Sequence, residues 1–191
     1  MCIFSIVTLL LISVVYKYRL AIKYQIYIWR HPRPERGTNF DYDFFVCYSV
    51  DDEDWIWDEL QPNLEGDEYI KLCIHQRDFK GGKLIVDNIV ELMESSRRVL
   101  IILSNSFAKS SWCQFELSVA QDLVLDSILE PPTIILLEEI KTEHLSNTLN
   151  ALINNTTYVP WSNHTDDSSE FWQRLKLAIG NQRMVANTED V

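Results

Sequence analysis

The sequence predicts a doubly wound α/β fold, a five-stranded parallel sheet flanked by helices, preceded by a single transmembrane helix. Three observations predict it. Five short apolar runs (42–48, 69–73, 99–103, 133–137 and 157–159) alternate with segments of helical periodicity, and parallel strands buried on both faces read as such unbroken runs. The loops after those runs, 49–54, 75–82, 104–111 and 138–141, are polar, and loops at the carboxyl ends of such strands carry function. Residues 2–16 hold no charge.

The elements follow in order. CIFSIVTLLLISVVY (2–16) spans roughly 22 Å as a helix against a hydrocarbon core of about 30 Å. Snorkelling by Lys17 and Arg19, or a start inside a longer span, would make up the difference. A cleaved signal peptide lacks support here, with no basic n-region and no small-x-small site. Tyr16, Tyr18, Tyr24, Tyr27 and Trp29 among Lys and Arg mark a cytoplasmic membrane interface, so residues 17–191 are expected in the cytosol of a single-pass membrane protein. We expect a transmembrane helix at 1–16, a basic juxtamembrane linker at 17–40, one domain at 41–181 and a flexible C-terminal tail at 182–191. HPRPERGTN (31–39), with two prolines and a glycine, marks the boundary.

Tyr42–Tyr48 reads as the first strand. Ser49, with Asp52 three residues on, opens a helix through Trp55, Ile56, Leu60 and Leu64. A short strand at Tyr69–Cys73 precedes a loop, His75–Gly82, whose two glycines suit a mobile, exposed turn presenting Arg77, Asp78 and Phe79. Their side chains are therefore expected to serve contact rather than the core. Ile85–Met93 reads as a helix and Val99–Leu103 as the central strand. The remaining elements are a long helix at Ser111–Leu125, a strand at Thr133–Leu137, a helix at Glu143–Ile153, a strand at Thr157–Val159 and an amphipathic helix at Ser169–Ile179.

Charge and cysteine usage narrow the chemistry. The 191 residues carry a net charge of −11, split into +4 over residues 1–41 and −15 over the rest. An acidic body excludes a general nucleic-acid binder. Cys2, Cys47, Cys73 and Cys113 form no C-x-x-C pair, so no metal is expected and reduced, buried thiols are. Asp51, Asp52, Glu53 and Asp54 could bind Mg2+ only with a third carboxylate after the third strand, where Ser104-Asn105-Ser106 stands; helix capping accounts for them better. Gly81-Gly82-Lys83 lacks the rest of a phosphate loop. Glu116, one helical turn after Trp112, could stabilise an oxocarbenium-like species in glycosidic cleavage, or could fix the neighbouring loop. The structural role is favoured, because no second acid is identifiable.

Those residues resemble the Toll/interleukin-1 receptor (TIR) family. YDFFVCYS (Tyr42–Ser49, with Tyr42, Asp43, Tyr48 and Ser49) resembles its first box, Arg77-Asp78-Phe79-Lys80-Gly81-Gly82 its second, and Phe171-Trp172 its third. DEDWIWDELQPNLE (52–65) and SSWCQFEL (110–117) resemble the matching stretches of Toll-like receptors. The resemblance implies a flavodoxin-like fold and a signalling scaffold, in which TIR domains associate with one another and with TIR-containing adaptors leading to inflammatory, NF-kappa-B type transcription. It assigns Arg77, Asp78, Phe79, Lys80, Gly81 and Gly82 to the partner-binding loop, Trp112 and Cys113 to the adjoining helix, and Phe171 and Trp172 to packing. No cofactor is expected. Some TIR domains cleave NAD+ with a Glu at the position Glu116 resembles, which leaves an enzyme, or a membrane-tethered decoy, as alternatives. One position departs from the pattern: the second box usually has Pro where Gly81 stands.

Overall fold

The computed structural model describes residues 2–30, 40–66, 70–162 and 169–179. Five strands, β1 (Tyr42–Cys47), β2 (Leu72–Cys73), β3 (Ser96–Leu103), β4 (Thr133–Leu136) and β5 (Tyr158–Pro160), form one sheet in the order β2-β1-β3-β4-β5. Every pairing is parallel. This is the flavodoxin-like order, and its topological switch lies between β1 and β3.

The pleat sorts the core into two layers, because successive side chains point to opposite faces. Phe45, Cys47, Val99, Ile101, Leu103 and Ile134 pack with the helices Ile85–Glu94, Ser111–Leu125 and Asn147–Asn155. Phe44, Val46, Leu100, Ile102 and Ile135 pack on the other face with the helical run 50–65 and the helix 169–179. Sequence periodicity located each of these helices, with shifts at the ends. The helix predicted from Glu143 begins at Asn147 instead, where the Ser146 hydroxyl accepts from the Leu149 N–H at 3.2 Å. The run 50–65 starts as predicted at Ser49, whose hydroxyl accepts from the Asp51 N–H. It carries a π turn at Ile56–Leu60, just before Pro62, whose missing N–H prevents a regular bond to Asp58.

The edge strand β2 is only two residues long, and Tyr69, where the sequence places its start, lies outside the described residues. The Asp43 carboxylate pins that edge by accepting from the Lys71 N–H at 2.9 Å. The expected tail at 182–191 and the boundary 31–39 also lie outside the described residues.

The N-terminal region departs from expectation. The apolar run forms a helix, Cys2–Lys17, of 16 residues, roughly 24 Å at helical rise. No described helix is long and apolar enough to cross a membrane, so a transmembrane helix is not established here. Within the segment expected as a linker, Arg19–Arg30 forms a second helix. Its Tyr24 is buried, with the ring edge-on to Phe115 at 6.1 Å, and Leu20, Tyr27 and Ile28 pack beside it on the core. Residues 20, 24, 27 and 28 share one helical stripe.

Candidate functional site

The crevice at the switch point is filled by the chain itself. Ser104, at the end of β3, donates its hydroxyl proton to Asp52 Oδ2 at 2.6 Å and accepts from the Phe107 N–H at 3.0 Å. The Cys113 thiol reaches the Tyr48 carbonyl at 3.5 Å. Asp52 thus ties the first loop to the third, a structural use of the acidic cluster.

Beside that crevice lies a buried group that the sequence did not assemble. Glu116, only 3% exposed, lies within the helix Ser111–Leu125. The Cys47 thiol lies beside its carboxyl group, His75 Nε2 approaches Oε1 at 3.1 Å without hydrogen-bond alignment, and Oε2 has no hydrogen-bond partner among the described residues. Burial pushes the Glu116 carboxyl up to about 8, only partly offset by the neighbouring Cys47 thiol. Burial also brings His75 down to about 4. Both groups are therefore neutral at pH 7. Tyr48 stacks on His75 with ring centroids at 5.1 Å, and Phe79 packs tilted against it at 4.8 Å. Glu116 is buried, and its contacts run to the loop base. Cys47, Cys73 and Cys113 are all free and buried, which also raises each thiol.

The segment expected as a mobile loop divides into a rigid base and a short tip. His75–Asp78 is a helical turn. Asp78 Oδ2 accepts from the Ile74 N–H at 2.7 Å. Arg77 bridges Asp78 and Glu65, at 3.1 and 2.8 Å, and donates to the Leu72 carbonyl. Glu65 also accepts from the Leu72 N–H at 3.1 Å. These bonds bind Arg77 and Asp78 into the sheet edge, and Phe79 is half-buried on His75. The expectation that this trio sits at a free loop tip is corrected: the charges satisfy backbone at a strand end, where unmet donors are costly.

The tip is Lys80–Lys83. The Lys83 N–H reaches the Lys80 carbonyl at 3.4 Å and Gly82 has φ 78°, the signature of a type II β-turn with Gly82 at its third position. Buried Asn88 clamps the turn's first residue, accepting from the Lys80 N–H at 3.0 Å and donating to its carbonyl at 3.1 Å. Lys80 and Lys83 both pair with Glu91. Just past the turn, Leu84 is 67% and Ile85 53% exposed. The sequence reading missed Asn88, Leu84 and Ile85; an apolar pair beside two glycines, one of them opening a helix, was the available signal.

The other predicted residues occupy separate places. Cys113 reaches Tyr48, and Tyr48 donates to Gln76 Oε1 at 3.3 Å, so both support the loop base. Trp112 packs edge-on to Phe115 at 6.2 Å, on the side that carries Tyr24. Phe171 and Trp172 are buried on the opposite face of the sheet, clustered with Trp55 and Trp161. They lie in the last helix and pack it against the sheet.

Comparison with known proteins bears on this arrangement. The family model of the TIR domain matches residues 41–190. The chain belongs to the TIR domain family. Toll-like receptor 2 of Canis lupus familiaris is 37% identical over 156 residues, covering 78% of this chain and 20% of that receptor. Toll-like receptor 2 type-2 of Gallus gallus is 34% identical over 181 residues, covering 90% of this chain and 23% of the receptor. That alignment necessarily reaches upstream of the TIR domain. The TIR domain of the Toll-related receptor TRR-2 from Hydra magnipapillata superposes with a TM-score of 0.58 at 26% identity, covering 72% of this chain and 98% of that one. The chain spans about a fifth to a quarter of the length of these curated receptors.

Within this TIR domain the turn geometry accounts for the Gly81 departure. Gly81 occupies the second position of the type II turn, where Pro is favoured. A Cβ there would meet nothing within 4 Å. Gly81 therefore keeps the turn's shape while leaving more entropy to lose when the tip is ordered.

Proposed function

We propose that this TIR domain is the signalling module of a membrane-attached Toll-like receptor, with the domain in the cytosol. It associates with other TIR domains, its own copies and TIR-containing adaptors, and so triggers inflammatory transcription. The observation that carries the reading is the tip at 80–85, which presents two exposed aliphatic side chains, Leu84 and Ile85, on a base locked by Asn88, Asp78 and Arg77. Exposed apolar groups on a rigid mount favour contact, since little ordering is needed on binding. A single weak interface of this size suffices once tethering raises the local concentration. The helix Cys2–Lys17, apolar around its circumference, is the proposed lipid anchor. The reading needs no cofactor and no catalytic residue.

The test is recruitment of an adaptor TIR domain to vesicles bearing the full chain at increasing surface density. Leu84→Asp and Ile85→Asp should abolish recruitment without shifting the unfolding midpoint, because neither side chain is buried. Recruitment equal to that of the unsubstituted chain in both variants would refute the assignment of the tip.

A further inference from the structure

The helix Arg19–Arg30 carries three stripes, and only one is explained by the fold. Leu20, Tyr24, Tyr27 and Ile28 grip the domain. Ile22, Ile26 and Trp29, at i, i+4 and i+7, form a second stripe; they line a shallow apolar groove with Ala21 and Gln25, and Trp29 is 84% exposed. Arg19, Lys23 and Arg30 form the third, roughly a quarter turn from the second at helical spacing. Tyr18 separates it from Cys2–Lys17, and the helical ladder runs on through that residue, with the Tyr18 N–H on the Val14 carbonyl and the Ile22 N–H on the Tyr18 carbonyl. The first is apolar on all sides, the second is not.

We infer that Arg19–Arg30 is a clamp between the domain and an anionic lipid surface. Its Ile22-Ile26-Trp29 stripe rests at the headgroup boundary, its basic stripe meets the headgroups, and its opposite face holds the domain in one orientation. The inference rests on the membrane attachment proposed above. Charge decides the occupant. Residues 42–191 carry −15 and would be repelled by an anionic bilayer, so a basic stripe must face it for the domain to lie close. An apolar stripe flanked by Lys and Arg, with an exposed Trp, has the composition of an interfacial helix. A second copy laid on the same stripe would bring Arg19, Lys23 and Arg30 of both chains alongside one another, where like charges repel. Clustering would then bring together domains already held at one height and one rotation. Their tips at 80–85 would meet in a fixed geometry instead of searching for it.

The experiment uses the intrinsic fluorescence of the full chain in vesicles. Of the six tryptophans, Trp29 alone precedes residue 55. In phosphatidylcholine vesicles brominated near the top of the acyl chains, the unsubstituted protein should show quenching that Trp29→Phe removes. Adding phosphatidylserine should deepen the quenching, and the triple variant Arg19→Glu, Lys23→Glu, Arg30→Glu should lose that increment. A vesicle-bound chain whose quenching is the same with and without Trp29 overturns the clamp and leaves the membrane attachment intact. Failure of the chain to float with vesicles overturns both. Disulfide capture between Ile26→Cys copies, with Trp29 unquenched, overturns the lipid assignment in favour of a second copy.

Discussion

Asp78→Ala separates a contact residue from a structural one. The Asp78 carboxylate is mostly buried and accepts from the N–H of Ile74 at 2.7 Å, a residue with no exposed surface. Removing it leaves that donor without its acceptor in a part-buried site. A hydrogen bond to a charged group contributes about 1.5–3 kcal/mol. Loss of the Arg77 contact adds less, because Arg77 is more than a third exposed and keeps Glu65. We expect a loss of about 2–3 kcal/mol, which for a domain of this size lowers the melting midpoint by roughly 5–10 °C. Asp78→Asn retains an acceptor for Ile74 and should lose about 1 kcal/mol or less. Urea denaturation of the two variants beside the parent measures both values. An Asp78→Ala midpoint equal to the parent's would mean the carboxylate is not holding the strand end, and the division into base and tip would fall.

Three further outcomes follow from the same region. Gly81→Pro places a ring in open space at the turn position Pro favours and should stabilise by about 0.4–1 kcal/mol, whereas Gly82→Ala at φ 78° should destabilise by about 1 kcal/mol; matching denaturation midpoints for the pair would contradict the type II assignment. Asn88→Ala should cost about 1–3 kcal/mol and speed amide exchange at Lys80, which hydrogen exchange resolves; an unchanged Lys80 rate would show that the clamp is not what orders the turn. Glu116 holds a proton up to about 8 in the folded chain but only to the ordinary carboxylate range when unfolded, so its contribution to stability declines as the pH rises between those values. His75, lowered to about 4 from 6.5, has the opposite slope and offsets it below 6.5. The Glu116 decline therefore stands alone from 6.5 to about 8, on the order of 1–2 kcal/mol. Glu116→Gln should flatten that limb of the stability profile, and parallel profiles would contradict a protonated Glu116.

What could be read from the chain depended on how far apart the interacting groups lie. Val99–Leu103 announces itself because a strand buried on both faces needs no partner to be recognised. The helix Ser111–Leu125 is likewise long enough for its period to show. His75–Asp78 is a single turn and has no period, so its charged residues beside two glycines looked like surface. Their true partners, Ile74, Leu72 and Glu65, are backbone groups and one carboxylate that only the folded edge brings near. The Glu116 cluster draws Cys47 from β1, His75 from the loop base and Glu116 from a later helix, and no local pattern links the three. Arg19–Arg30 is the opposite case. Its stripe at 20, 24, 27 and 28 was present in the sequence, but the dense Lys, Arg and Tyr content drew the reading toward a linker.

The placement of Glu116 shows how the chain's own side chains occupy the ligand crevice of this fold. Doubly wound sheets bind ligands where the strand order reverses, and here Ser104, Asp52, Cys113 and Tyr48 close that point with bonds among themselves. The adjacent carboxyl group is neutral, so it can lie against His75 without the expense of a buried charge. His75 in turn packs against both Phe79 and Tyr48. The chain of contacts from β1 to Phe79 then meets the second anchor, Asn88, at Lys80. Only the turn and the two aliphatic side chains after it project beyond these anchors. A tip so short loses little entropy on binding, and the freedom Gly81 adds lies where a partner could remove it. Stiffening the turn by Gly81→Pro should therefore strengthen adaptor recruitment as well as the fold, a coupling that disappears if binding is carried by any other surface.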